Sequence, residues 1–122
     1  MIKVDGTVQS GVKHFVKRIE KYASVFTAAT GEELYPGTIN IRVAQRIPIQ
    51  EHFRIVGREI GEPEQDLLFE VCRINGEWAY RIRPFRPLFH DGGHGDNIIE
   101  ISCAKKLENI DAGSKVVLEF FR

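Results

Sequence analysis

Thr38 and Asn40 have the residue types and the spacing that best support chemistry in this chain. They follow a turn predicted over residues 35–37, where a proline fixes its own φ and a glycine supplies a positive φ. Ile39 and Ile41 then begin a strand on one face, which leaves Thr38 and Asn40 together on the other face. A hydroxyl and an amide carbonyl in that position can bind Mg2+. The simpler interpretation, which spacing alone favours, is that they cap and solvate the start of the strand.

Glu100 is a carboxylate within an apolar run over residues 98–101. A buried carboxylate without a partner is costly. Alternation allows Glu100 to point outward while Ile99 and Ile101 face the core. In a functional interpretation, Glu100 accepts hydrogen bonds from a ligand at the rim of a barrel. The sequence leaves both possibilities open.

Other types of site find less support. A metal site is conceivable at His90, His94 and Asp96, but it would need a helix to hold these ligands in a fixed geometry. The glycines around them make a helix improbable and favour a mobile loop that contacts the substrate. No serine has the context of a catalytic nucleophile, and neither cysteine has an activating neighbour in sequence. No Gly-Lys-Ser/Thr sequence occurs, so a Walker loop is not expected.

Composition restricts the class of protein. Seventeen basic residues balance seventeen acidic residues, which argues against a nucleic-acid partner. No apolar run approaches the roughly 18 residues of a membrane span, and residues 1–5 do not resemble a secretory signal. We therefore expect one cytoplasmic domain over residues 1–122, with no membrane partner, as a monomer or weak dimer. Cys72 and Cys103 are expected to be buried thiols.

Hydrophobic periodicity predicts a mainly β protein with one amphipathic helix. Apolar residues recur at helical spacing over residues 12–29, and Gly31 is a plausible terminator. The pattern predicts a small closed β-barrel of six or seven strands that carries this helix. The predicted strands cover residues 2–10, 38–44, 53–60, 67–74, 77–83, 97–103 and 115–121.

The Asn75-Gly76 pair predicts a hairpin between two of these strands. Counting outward from the turn places Phe69 opposite Ile82 on a core face. The same register places Glu70 opposite Arg81 on the outer face.

The order of these features resembles the archaeal CTP-dependent riboflavin kinases, which are small cradle-loop barrels. The Pro-Gly-Thr-Ile-Asn sequence is the most specific part of the resemblance, which spans nearly the whole chain. The matching pieces are Gly6-Thr7-Val8-Gln9-Ser10-Gly11, the helix with Tyr22 and Phe26, Tyr35-Pro36-Gly37-Thr38-Ile39-Asn40, Ile98-Ile99-Glu100-Ile101, Lys105-Lys106-Leu107 and Asp111-Ala112-Gly113-Ser114-Lys115-Val116.

The resemblance implies transfer of the γ-phosphoryl group of CTP to riboflavin, which gives FMN and CDP. It implies that Thr38 and Asn40 bind Mg2+, and that Glu100 contacts the flavin and orients the attacking hydroxyl, with Asp96 as the weaker candidate for orienting it. An aromatic loop over residues 85–89, which includes Phe89, would cover the flavin ring. The implied nucleotide-binding residues are Gly11, Lys13, Gly37, Lys105, Lys106 and Leu107.

Two departures from the family pattern fall on the nucleotide side. The loop after the first strand is short and contains one glycine, Gly11, and Glu108 occupies the position of the usual arginine. They favour, as an alternative, a barrel that binds flavin or nucleotide without catalysis. A third alternative is a regulatory barrel that binds DNA or another protein. The zero net charge argues against DNA as the partner.

Overall fold

A computed structural model describes residues 1–9, 15–85 and 97–122 of the chain. No helix within these ranges is long and apolar enough to cross a membrane. The elements are β1 (Ile2–Gln9), α1 (Phe15–Lys21), α2 (Ala23–Thr30), β2 (Ile39–Val43), β3 (Phe53–Ile55), a 3-10 helix (Gly57–Ile60), β4 (Asp66–Ile74), β5 (Glu77–Phe85), β6 (Ile98–Ser102) and β7 (Lys115–Phe120).

The described strands form a closed antiparallel barrel, as the sequence predicted. Six strands pair in the order β4-β5-β6-β2-β1-β7, and β7 closes the barrel on β4. The nine-residue β4 makes this possible, because its second half pairs with β7 while its first half pairs with the extra strand β3. Closure leaves no open edge among these six strands.

The barrel wall is buried on both faces over residues 67–70 of β4 and 81–82 of β5. The inner face is filled mainly by alternate apolar residues of the six barrel strands, and the helices cover part of the outer face of β3, β4 and β5. The outer cluster consists of Ile19, Phe26, Leu34, Ile55, Ile60, Leu67, Phe69 and Ile82.

The helical region differs from the single helix that was predicted. Tyr22 leaves helical geometry, with φ −114° and ψ 34°, and separates α1 from α2. Hydrogen bonding continues across this kink, because the Tyr22 carbonyl accepts from the N–H groups of Val25 and Phe26. Apolar spacing continues through both helices, so periodicity could not reveal the kink. Gly31 ends α2 in the left-handed conformation, with φ 81°, as predicted.

The strand predicted over residues 53–60 is wrong in its second half. Only Phe53–Ile55 is extended, and the 3-10 helix follows. The chain folds back at Gly57, where the carbonyl oxygens of Glu62 and Gln65 leave no space for a side chain. The Gly57 N–H also donates to Asp66 Oδ1 at 2.9 Å, which fixes this turn.

The hairpin register was predicted correctly, but the placement of Glu70 and Arg81 was not. The pair lies opposite one another as expected, yet both side chains are buried on the inner face of the barrel. Glu70 accepts hydrogen bonds from Arg122 Nε at 3.0 Å and Nη2 at 2.9 Å. The prediction failed because it assumed one solvated face, whereas helices cover the face that carries Phe69.

The two cysteines are free thiols and both are buried, as predicted. Burial raises the pKa of each thiol to about 12. Neither is therefore an activated nucleophile at neutral pH.

Candidate functional site

A row of polar side chains crosses the outer face of the barrel beside the helix-covered cluster. Gln9 on β1 lies opposite Asn40 on β2, and Asn40 lies opposite Glu100 on β6. The row continues to Ile82 on β5, where the apolar cluster begins. Directly opposed residues of antiparallel strands have Cβ atoms about 5 Å apart. The barrel therefore brings Asn40 and Glu100 into contact range.

Thr38 joins this row through Glu100. The Thr38 hydroxyl donates a hydrogen bond to Glu100 Oε2 at 2.7 Å. Gly37, just before Thr38, has the positive φ expected from sequence, at 139°. Gly37 thus directs the chain into β2, so that Thr38 and Asn40 share the face that carries Glu100.

Glu100 is not on a solvated surface. Ile99 and Ile101 face the interior of the barrel, an arrangement that alternation allowed, and Glu100 points to the opposite face. It is nevertheless only 9% exposed. A buried carboxylate requires hydrogen-bond donors, and Thr38 is one of them.

Asn40 carries a buried oxygen that has no hydrogen-bond partner among the described residues. Its side chain is 9% exposed, and Oδ1 accepts no hydrogen bond within the described part of the chain. Such an atom is unusual, because buried polar atoms are nearly always paired. An amide oxygen is a ligand type that Mg2+ accepts. The Thr38 oxygen also retains lone pairs while its hydrogen is donated to Glu100. These two oxygens therefore fit a hard cation.

Ser102 lies on the same face of β6 as Glu100, and sequence reasoning missed it. Its side chain is 1% exposed, and its Oγ has no hydrogen-bond partner among the described residues. Its cross-strand neighbour is Tyr80. Ser102 thus adds to the polar face a second buried oxygen that no described residue pairs with. The signal available in the sequence was its i, i+2 spacing from Glu100.

A second row of polar residues lies next to the first and was also missed. Lys115 on β7 is opposite Thr7 on β1, and Thr7 is opposite Arg42 on β2. Arg42 shares the outer face of β2 with Asn40, two residues away. The alternation of Thr38, Asn40 and Arg42 was visible in the sequence, but no chemistry was assigned to its third member.

The predicted nucleotide segment, Lys105 to Leu107, lines a separate pocket of about 340 Å3. Tyr35 N–H donates to the Cys103 carbonyl at 2.8 Å, so this segment begins at the same end of the barrel as the turn before Thr38. Two carboxylates, Glu77 and Glu108, line the same pocket. Lys105 Nζ lies 3.3 Å from Glu77 Oε2. The positive charge of this pocket is therefore balanced within the chain.

Several predicted site residues lie outside the described residues. These include Gly11 and Lys13 on the nucleotide side and Phe89 on the flavin side. The histidines and the aspartate considered for a metal site, His90, His94 and Asp96, also fall there. Over residues 1–9, 15–85 and 97–122, no group of three His, Cys, Asp or Glu side chains is arranged to bind a metal.

Comparison with known proteins gives one informative similarity. No protein-family model matches the chain. The chain is similar to the riboflavin kinase of Staphylothermus marinus, with 29% identity over 106 residues, which cover 87% of this chain and 79% of that protein. This similarity and the closed six-stranded barrel of the described residues together fit a riboflavin-kinase-like family, in line with the resemblance seen in the motifs.

Proposed function

We propose that this protein is a phosphotransferase that phosphorylates riboflavin with CTP as the donor. The γ-phosphoryl group would pass to the terminal ribityl hydroxyl and give FMN and CDP. One observation carries the proposal: Thr38, Asn40 and Glu100 form a polar cluster, with Thr38 hydrogen-bonded to Glu100 and Asn40 opposite it. The similarity to a riboflavin kinase supports the choice of acceptor.

Glu100 is the residue assigned to the acceptor hydroxyl. The hydrogen bond from Thr38 fixes the orientation of its carboxylate. The carboxylate accepts a hydrogen bond from the ribityl hydroxyl and so aligns its oxygen with the γ-phosphorus. The new O–P bond forms as the bond from phosphorus to the CDP oxygen breaks, and the hydroxyl proton leaves through Glu100. Phosphoryl transfer requires mainly such positioning and neutralisation of charge.

Thr38 Oγ1 and Asn40 Oδ1 would hold Mg2+ in this proposal. When bound, Mg2+ neutralises charge on the phosphate oxygens. The unpaired and buried Oδ1 of Asn40 supports this assignment, because a cation would supply the partner that the described residues do not.

The nucleotide would occupy the end of the barrel that bears the turn before Thr38. The N–H of Gly37 and the segment from Lys105 to Leu107 are the described candidates there. Gly11 and Lys13 on the nucleotide side, and Phe89 against the flavin ring, complete the proposed site from the resemblance alone.

The test is formation of FMN by the purified protein. Riboflavin and Mg2+ are incubated with CTP, ATP, GTP or UTP, and FMN is separated by chromatography. We expect FMN with CTP and none when Mg2+ is omitted. Thr38→Val removes the hydroxyl and should abolish turnover, whereas Thr27→Val, at an exposed position on α2, serves as the matched control. Absence of FMN with every nucleotide contradicts the proposal.

A second candidate is a barrel that binds flavin without transferring phosphate. Lys105 is already paired with Glu77, and Glu108 adds another negative charge to the same pocket. Both features weaken attraction for a triphosphate. Flavin binding without FMN formation under any of the four nucleotides would favour this candidate.

A further inference from the structure

We propose that the groove between β2, β1 and β7 binds the phosphate group of a phosphorylated ligand. The groove is defined by the row Lys115, Thr7 and Arg42 and has a volume of about 660 Å3. That volume lies within the range of small-molecule sites, roughly 300–1,000 Å3. The proposal rests on the proposed function, because it extends the same site toward the phosphate of its donor or product.

Among the described residues, Arg42 is held in place without being neutralised by a carboxylate. When the Gln9 amide is oriented with its oxygen toward the guanidinium, that oxygen accepts hydrogen bonds from Arg42 Nε at 2.7 Å and Nη2 at 2.9 Å. An amide carries no net charge, so the guanidinium keeps its positive charge and its remaining donors. Guanidinium groups bind phosphate through pairs of N–H donors, and Nη1 of Arg42 is not used by Gln9.

Lys115 is held in the same way. Its Nζ donates to Thr7 Oγ1 at 2.9 Å, and the hydroxyl is also neutral. Lys105, in the other basic pocket, is instead paired with the carboxylate of Glu77 at 3.3 Å. The two pockets therefore differ in available charge, although both contain two basic residues.

The groove keeps a net positive charge within the described residues. Asp5 is the acidic residue in its lining, against Arg42 and Lys115. Neither of these cations lies within 4.0 Å of a carboxylate of residues 1–9, 15–85 or 97–122. Both side chains are exposed, so an anion can approach them from solvent.

The groove is continuous with the Thr38, Asn40 and Glu100 cluster. Arg42 follows Asn40 by two residues on the same face of β2, a separation of about 7 Å along the strand. Gln9 connects the Asn40–Glu100 row with the Thr7–Arg42 row, because it lies opposite Asn40 and its amide oxygen accepts hydrogen bonds from Arg42. A ligand held at Asn40 and Glu100 can therefore place a phosphate against Arg42.

The phosphate could belong to FMN or to the nucleotide, and paired titrations distinguish the two. Riboflavin and FMN differ only by the phosphate, so the ratio of their dissociation constants, read from flavin fluorescence, isolates its contribution. In the wild type, we expect FMN to bind at least about tenfold more tightly than riboflavin. Arg42→Gln and Lys115→Gln should bring the ratio close to one without changing riboflavin affinity. If the phosphate belongs to the nucleotide, these variants should instead weaken CTP binding in calorimetry by about tenfold.

Control variants test whether the effect is local. Arg58→Gln and Lys3→Gln remove the same charges from exposed positions outside the groove lining, and both should leave all affinities unchanged. Sodium tripolyphosphate, titrated by calorimetry, tests the groove without flavin or nucleoside, so it remains informative if the proposed kinase activity is absent. Unchanged affinities for FMN, CTP and tripolyphosphate in Arg42→Gln and Lys115→Gln would overturn the proposal.

Discussion

The Thr38 hydroxyl donates a 2.7 Å hydrogen bond to Glu100 Oε2, although the two residues are 62 positions apart in the chain. Pairing of β2 with β6 creates this contact, because Ile39 lies opposite Ile101 and Asn40 lies opposite Glu100. The same pairing leaves Asn40 Oδ1 buried and without a hydrogen-bond partner among the described residues. One pair of strands therefore assembles a positioned carboxylate beside two oxygens suited to a cation.

Replacing Glu100 with Gln should weaken flavin binding. The substitution preserves volume but removes the charge, and a hydrogen bond to a charged acceptor contributes typically about 1.5–3 kcal/mol. We therefore expect an increase of about tenfold or more in the riboflavin dissociation constant. Quenching of flavin fluorescence reports the affinity directly. Glu59→Gln, on the exposed side of the 3-10 helix, is the matched control. Equal affinity in Glu100→Gln and the wild type would remove Glu100 from the flavin site.

Replacing Asn40 with Ala should abolish Mg2+-dependent nucleotide binding while the fold is retained. The Oδ1 atom accepts no hydrogen bond from the described residues, so its removal takes away no internal partner. Calorimetric titration with CTP in the presence and absence of Mg2+ measures the metal-dependent part of the affinity. Thermal unfolding of the same variant checks that the barrel is intact. The magnesium assignment is wrong if the metal-dependent affinity persists in a folded Asn40→Ala protein.

The elements of the site that follow from local pattern could be predicted from sequence. The sequence predicted a positive φ at Gly37, which glycine adopts readily, and the observed φ is 139°. Alternation allowed Ile99 and Ile101 to lie in the core with Glu100 on the other face, and the structure has this arrangement. The Asn75-Gly76 turn fixed the register of β4 and β5.

The parts that depend on which strands become neighbours could not be predicted. Nothing in the local sequence indicates that β7 pairs with β1, so the contact between Lys115 and Thr7 could not be predicted. The packing of α1 and α2 on the outer face also depends on contacts between segments distant in sequence. Because the outer face was assumed to be solvated, Glu70 and Arg81 were assigned to the wrong face. The kink at Tyr22 was not predicted because the helical spacing of apolar residues continues through it.

Replacing Glu70 with Ala should strongly destabilise the barrel. Its carboxylate is fully buried and accepts two hydrogen bonds from Arg122 and one from the Gln50 N–H. Arg81, also buried, lies with Nη1 at 3.9 Å from Glu70 Oε1. Removing one partner of a buried ion pair costs about 3–5 kcal/mol, because the other charge loses its compensation. Urea denaturation measures the loss. Glu119→Ala, on the outer face of β7, should cost much less, and equal losses in the two variants would contradict this account.

Stability should decrease at alkaline pH because of the buried thiols. Burial raises the pKa of Cys72 from 9.0 to about 12, so above about pH 9 the unfolded chain loses a thiol proton that the native state retains. The unfolded state then binds fewer protons than the native state, and the free energy of unfolding falls as pH rises toward 12. A pKa shift of this size lowers the free energy of unfolding by about 4 kcal/mol once the pH exceeds both pKa values. Urea denaturation at several pH values between 8 and 11 should show a shallower decline in Cys72→Ala than in the wild type, because the variant has no thiol to ionise at this position. Identical slopes in the two proteins would show that Cys72 does not contribute to the alkaline loss of stability.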